Sequence, residues 1–501
     1  MIKKNLAVFL LILFFPVISS AALWTGKTAR YVCDTSVCGQ SPGAGTSWSN
    51  AFDDIPGGGD VMTRDYVYYV ADGSYNNAYF DDAVDGTKWI YIVKATVADH
   101  GTETGWLDTY GDGQANISSR WQFLTGYYHV DGNGTHTIPS DDTNDYGFKI
   151  NSNSSTNTSG VVQFGQSGYV VNYITLKYIH VYNTTNGSIN NGTVGLQFYS
   201  NEEPSQSHIK IQNCFLQNSG KDGIQISKST YVLVERCYIE RYGRLYGGSP
   251  DYHGQTVQIF YGADDIIFRW NIWEANEGQG LVQIAGIGSV TSNVRFYGNL
   301  VFTKYGQTED TPGFNSSGGI IGDAWYDNGQ NGVYVYNNTF VNQGGDYSDY
   351  GSGSAGYSHF PMGNGTNEYT YNNIMFNNGG AGSDSGWSAD DYHVYGDYDQ
   401  SSPQTYPGGS TESGLSSTIF TNYTGNDFTL ASGTTAGIDI TAQGWWDTSD
   451  TFFGYLDSNE DMYGNVRGSD GALDRGAYEY DAGATPSIIK KIMTFFRRLR
   501  G

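Results

Sequence analysis

The chain has 501 residues, 68 of them Gly and 41 Tyr, with 26 Lys and Arg against 51 Asp and Glu and a formal net charge of −25. Glycine, tyrosine and small polar residues at this density describe a turn-rich all-β protein and exclude a helical enzyme. A negative field of this size repels nucleic acid and anionic membranes, and it disfavours acidic polysaccharides unless Ca²⁺ or a local basic patch intervenes.

In chain order, residues 1–22 read as a secretory signal. Lys3 and Lys4 precede an apolar run from Leu6 to Ile18, and Ser20-Ala21-Ala22 supplies a small-residue cleavage site. The run is too short for a comfortable membrane span, so a soluble, exported, monomeric body is expected. The 4 cysteines suit an oxidising compartment. Cys33 and Cys38 stand close together in a Gly/Ser/Thr-rich opening loop and predict a small disulfide.

Residues 23–150 form an N-terminal region of cap and first coils. It contains Arg30-Tyr31-Val32, then Gly45-Thr46-Ser47-Trp48-Ser49-Asn50-Ala51-Phe52, then Tyr68-Tyr69-Val70-Ala71-Asp72-Gly73-Ser74-Tyr75. These segments resemble the opening of secreted right-handed parallel β-helix proteins, the pectate-lyase-like superfamily. The resemblance implies a cap ahead of a regular solenoid. It is specific for architecture and poor for chemistry, because such a fold carries many activities.

Residues 151–380 carry the repeat. With a corner residue set at zero, corners fall at Ile179, Cys214, Cys237, Asn271, Asn299 and Asn338, spaced 35, 23, 34, 28 and 39 residues apart. Positions −5, −3 and +2 are apolar in all six copies, from Ile174, Leu176 and Val181 to Val333, Val335 and Phe340. A seventh copy, cornering at Asn373, keeps Met375 but has Glu368 and Thr370, so it reads as a decaying end. A constant apolar frame with variable spacing marks one turn of a coil per copy, each burying its apolar face only against its neighbours. Alternation with period two makes the segments strands, and three short strands per coil predict a right-handed parallel β-helix. A length that would suggest about three globular domains is then one solenoid. Asn271, Asn299, Asn338 and Asn373 resemble the asparagine ladder of parallel β-helices, a structural device. Cys214 and Cys237 fall on successive corners, about 4.8 Å apart, which leaves two readings open: a disulfide or a pair of stacked thiols.

An apolar-Gln-apolar strand recurs in five consecutive coils, at Gln163, Gln197, Gln225, Gln258 and Gln283. Its apolar flanks point inward, so the glutamines point out. Such a row suits sugar hydroxyls along an extended glycan, with Tyr199, Phe260 and Tyr261 beside it to stack on sugar faces. The resemblance implies a substrate groove along this same face. The competing reading is an amide ladder that satisfies itself.

The insertion from Arg241 to His253 leads into the Gln258 strand. Here His253 is the candidate base or acid, Asp251 its tuner, and Arg241 or Arg244 the partner of a uronate carboxylate. Lys228 is a candidate lyase base, and Glu277 would complete an acid pair with Asp251 for hydrolysis. Ile226-Ser227-Lys228-Ser229 resembles the lysine segment of chondroitinase-B-like lyases, without the Leu-Arg-His-Gly partner segment of that family. The Arg-x-Lys pair and Asp trio of polygalacturonases and the calcium triad of pectate lyases are not found.

Residues 377–416 read as long loops over the solenoid end, and 381–484 as a loop-rich C-terminal closing module. Ile419-Phe420, Asn426-Asp427-Phe428-Thr429-Leu430, Asp461-x-x-Gly464-x-x-Arg467 and Asp474-x-Gly476-Ala477-Tyr478-Glu479 resemble the closing module of the same superfamily. Thr434-Thr435-Ala436-Gly437 replaces its usual Ser-Pro-Ala-like step. Asp457-x-Asn459-x-Asp461 has carboxylate spacing for Ca²⁺, yet Met462 stands where a calcium loop wants Gly, so a solvated turn is expected. Residues 485–501 form a basic amphipathic tail, suited to a membrane surface, to sorting machinery, or to folding back on the acidic body. Two functions follow: a secreted carbohydrate-binding or -processing β-helix, lyase or hydrolase, or a non-catalytic surface solenoid.

Overall fold

The computed structural model describes residues 24, 26–76, 78–152, 160–183, 194–198, 206–219, 222–242, 255–274, 280–286, 288–302, 321–323, 329–342, 365–376, 389–391, 394–396, 412–415, 417–431, 460–467, 474 and 476–479. Three sheets run along one axis. Sheet A has 12 strands, from Thr28–Val32 to Ala389–Asp391; sheet B has 12, from Gly73–Tyr75 to Glu412–Leu415; sheet C has 8, from Ala78–Phe80 to Ile321–Asp323. One coil visits them in the order C, A, B: Ile224–Ser227, Thr230–Glu235, Tyr238–Tyr242, then Gln255–Phe260 one rung on. Successive rungs pair in parallel. Parallel strands joined by crossovers of the usual hand make a right-handed parallel β-helix.

The inward columns follow the sequence frame. Ile174, Ile209, Val232, Ile266, Val294 and Val333 pair in register, as do Leu176, Ile211, Val234, Phe268, Phe296 and Val335. All are buried in one continuous core. Full burial of each such side chain stabilises by roughly 1.5–3 kcal/mol, and no single coil supplies the partners. Inside sheet C, Phe80, Phe123, Phe164 and Phe198 stack at 4.5, 5.5 and 4.6 Å between ring centroids.

Two bends bracket each sheet A strand. At position −1, Tyr178, Asn213, Arg236, Trp270, Asn337 and Asn372 take φ between 50° and 59°, with Gly298 at 64°. At position −6 the same happens at Tyr173, His208, Tyr231, Asp265, Asn293 and Asn367, with Gly332 completing the column. Left-handed backbone favours Asn, Asp and Gly, which explains their recurrence at these two positions. Inside the corner, Asn271, Asn299, Asn338 and Asn373 are fully buried. Asn299 Nδ2 donates to Phe268 O, Tyr297 O and Asn338 Oδ1 at 3.0, 3.0 and 3.1 Å, while its Oδ1 accepts from the Asn271 backbone N–H and Nδ2 at 3.0 Å each. Upstream the ladder passes to thiols: Cys237 N–H donates to Asn271 Oδ1 at 2.9 Å, and Cys214 N–H to Cys237 Sγ at 3.4 Å. Both cysteines are buried free thiols, which decides between the two readings; Cys33–Cys38 is a disulfide.

Three expectations change. The Asn373 copy does not end the coil: Glu368 and Thr370 take their places in register and are buried, and sheets A and B continue past it. Strands Ala389–Asp391, Val394–Gly396 and Glu412–Leu415 lie where loops alone were expected, because short polar strands carry too little alternation to be seen. Asp461, read as part of a solvated turn, is not itself solvated. Its carboxylate is fully buried and accepts from the N–H groups of Tyr463, Asn465 and Glu479 and from Asn465 Nδ2. Asp457 and Asn459 lie outside the described residues.

The C-terminal module packs on the flank of the coil. Leu300, Phe302, Val341, Ile374 and Phe376, which face outward from sheet B, are covered by Ile419, Phe420, Tyr423, Phe428, Leu430, Met462 and Tyr478. Trp270 Nε1 donates to Glu460 O at 3.3 Å, and the Ala477 N–H to Thr339 Oγ1 at 2.9 Å. Outward apolar residues on the last coils therefore have their own hydrophobic cover.

Candidate functional site

The glutamine row lies on the outer face of sheet C. Register pairing runs Gln163–Gln197–Gln225–Gln258–Gln283, one residue per rung. Gln122 extends it by one rung, since Trp121-Gln122-Phe123 is the same apolar-Gln-apolar phrase. Gln122, Gln163 and Gln197 are buried, whereas Gln225, Gln258 and Gln283 remain partly exposed.

The amides bond to one another along the axis. Gln197 Nε2 donates to Gln225 Oε1 at 3.0 Å, Gln225 Nε2 to Gln258 Oε1 at 3.1 Å, and Gln258 Nε2 to Gln283 Oε1 at 3.3 Å. The buried Asp222 carboxylate lies beside the row. It accepts from Gln225 Nε2 at 3.4 Å and from the Gln255 N–H at 3.1 Å. Each primary amide has two N–H donors and two carbonyl lone pairs. The ladder consumes about half of that capacity, and Asp222 takes the second donor of Gln225.

Around the row, Phe260 and Tyr261 follow the Gln258 strand, their rings edge-to-face at 4.7 Å. Lys228 follows the Gln225 strand in left-handed backbone, and its N–H donates to Phe260 O at 3.3 Å. Lys228, Phe260 and Tyr261 are all partly exposed. The fold thus gathers five predicted residues at one end of the row: Gln225, Gln258, Gln283, Lys228 and Tyr261. His253, Asp251, Arg244, Glu277 and Tyr199 lie outside the described residues. Arg241 belongs to strand Tyr238–Tyr242, with no side-chain description.

Two outer features escaped the sequence reading. At position −6, on the edge where sheet C turns into sheet A, rings pile on successive rungs. Tyr127, Tyr173, His208 and Tyr231 lie 4.7, 4.5 and 4.8 Å apart, and Trp89 meets Tyr127 edge-on. Aromatics at a fixed offset from each corner were the available signal. The second feature is a polar network on the outer face of sheet B. His180 Nε2 is 3.1 Å from Gln217 Oε1, Gln217 Nε2 donates to Glu240 Oε1 at 2.6 Å, and Tyr238 Oη donates to Glu274 Oε2. Burial, with Lys149 nearby, drops the His180 pKa to about 3, so its ring is neutral. Glu240 and Glu274 are register partners, but both are buried, which makes this a packed network and not a cleft.

No group of three or more His, Cys, Asp or Glu side chains fit to hold a metal ion occurs among the described residues. Among the described residues, no helix is long and apolar enough to cross a membrane.

The class defined by these sheets is the parallel β-helix. No family model matches the chain. No curated protein matches it either. Among solved structures it is similar to pectate lyase Pel9A, at 10% identity over 91% of this chain and 98% of that one, with a TM-score of 0.46.

Proposed function

We propose that this protein is an extracellular carbohydrate-binding β-helix that holds a polysaccharide along the glutamine row of sheet C. The observation carrying the reading is the half-used ladder Gln225–Gln258–Gln283. Each amide is oriented by its neighbours, yet keeps bonding capacity on a partly exposed face. Preorganised groups lose little freedom when a ligand arrives. Phe260 and Tyr261 add apolar surface for a sugar ring. The leader-like segment 1–22 and the Cys33–Cys38 disulfide support export.

Cleavage of the bound chain, by lyase or hydrolase chemistry, belongs to the same proposal and rests on the insertion that contains Asp251 and His253. The test is a polysaccharide panel followed by gel retardation, by absorbance of unsaturated uronates and by new reducing ends. Retardation that disappears in Gln225→Ala/Gln258→Ala supports recognition, and product formation that His253→Ala abolishes supports catalysis. Absence of any retardation across the panel would leave the alternative, a non-catalytic surface or matrix solenoid.

A further inference from the structure

The proposed site lies on a face whose chemistry differs from what a uronate polymer needs, and this narrows the ligand. Resting on the polysaccharide reading above, and narrowing its cleavage chemistry from lyase or hydrolase to hydrolase, we infer that the ligand is an uncharged, extended glycan of equatorially linked pyranoses, and not a polyuronate or a helically wound glucan.

The first argument is hydrogen-bond inventory. A carboxylate only accepts, whereas a sugar hydroxyl both donates and accepts. At Gln225 the N–H groups are the scarcer resource, whereas Gln258 gives only one of its two along the row and Gln283 only accepts. Gln197, Gln225 and Gln258 each give one N–H to the next rung, and Gln225 gives its second to Asp222. What Gln225 still offers is one carbonyl lone pair, a match for a hydroxyl donor and a mismatch for a carboxylate oxygen.

Charge is the second argument. Asp222 places a fully buried carboxylate directly against the row. On the neighbouring sheet A three outward cations are paired with acids: Arg269 with Glu235 at 2.9 Å, Lys210 with Glu235 at 3.8 Å, and Arg295 with Asp265 at 3.8 Å. Lys228 is the one cation described beside Gln225, Gln258 and Gln283, with Arg120 at the far end of the row on Tyr79, against a polymer that would bring a negative charge with every sugar. The whole chain's −25 adds long-range repulsion. Like charges brought together at an interface repel.

Shape is the third. The row is straight and repeats once per rung, about 4.8 Å. A chain of equatorially linked pyranoses advances by about one ring length per sugar and stays in step with the rungs, while a wound glucan leaves the row after a few units.

The test uses the purified full chain in affinity gels containing xyloglucan, glucomannan, glycogen, polygalacturonate or alginate, the last two with Ca²⁺ or with chelator. Retention by the neutral extended glycans should exceed that by either polyuronate by at least about tenfold at physiological salt, with glycogen inert. Gln258→Lys should create polygalacturonate retention, while Asp112→Lys, a larger charge change at an exposed site on the A–B corner, should not. Polyuronate retention by the unmodified chain that Gln225→Ala/Gln258→Ala removes would overturn the neutral-ligand inference and leave the site standing. Glycogen retention equal to that of xyloglucan would overturn the claim of an extended ligand. Binding to no glycan would sink both this inference and the site.

Discussion

Two ladders of side-chain amides run along this molecule, one inside the A–B corner and one outside sheet C. Both repeat once per rung and both hydrogen-bond from rung to rung. The inner asparagines are fully buried, and the Asn299 side chain engages three carbonyl acceptors and three donors. The outer glutamines at Gln225, Gln258 and Gln283 hold one neighbour on each side where the row continues, and remain partly exposed. The same functional group therefore serves two ends. Saturated and dry, it closes a bend; half-saturated and wet, it is a surface that can take a ligand.

The largest effect separating the two is expected at the inner ladder. Asn299→Ala should strip a partner from six buried groups and cost about 4 kcal/mol or more, read as a shift of the urea midpoint. An equal loss in Gln258→Ala would erase the distinction drawn between the ladders.

Exposure and not merely outward direction is what makes the outer row a surface, and the C-terminal module tests this. It covers an outward face of sheet B through Phe428 against Phe302, with ring centroids 5.2 Å apart. Phe428→Ala should cost about 3 kcal/mol and open the module to proteolysis ahead of the coils. Cleavage rates indistinguishable from the parent's would show that this cover contributes little.

A third polar group sharpens the point about dryness. His180 is neutral because it is buried, with its pKa lowered from the usual 6.5 to about 3. Between these values the unfolded chain binds the proton and the folded chain does not. Stability is thus fully present above pH 6.5 and is lost as pH falls toward 3. For this one group the loss between neutral pH and pH 4 is about 3 kcal/mol. His180→Phe, which keeps the stacking on Phe215, should flatten that limb of a stability–pH profile. An unchanged slope would mean that other groups set it.

The smallest effect on stability belongs to the outer row. Gln258→Ala should cost about 1 kcal/mol or less while weakening glycan retention about tenfold. Full retention with a large loss of stability would make the row a stiffener only.

How much of this was legible beforehand depends on what each residue faces. The eighteen apolar residues at −5, −3 and +2 could be lined up from spacing alone, because a period-two strand has one inward side and water is a poor solvent for it. The same logic reached the corner asparagines and the Gln phrase. It missed Gln122, the outer rings at −6 and the Glu240–Glu274 pair, since outward positions carry no hydrophobic signature of their own. Whether an outward residue meets solvent, a neighbour one rung away or a module arriving from as far as 190 residues downstream is a question of contact and not of pattern. So the amino-acid order by itself determined the stack of rungs and its axis. Only the folded arrangement decided which amides were used up, which thiols stayed unbonded and which outer face was covered, because those outcomes depend on distances between coils that the local pattern does not contain.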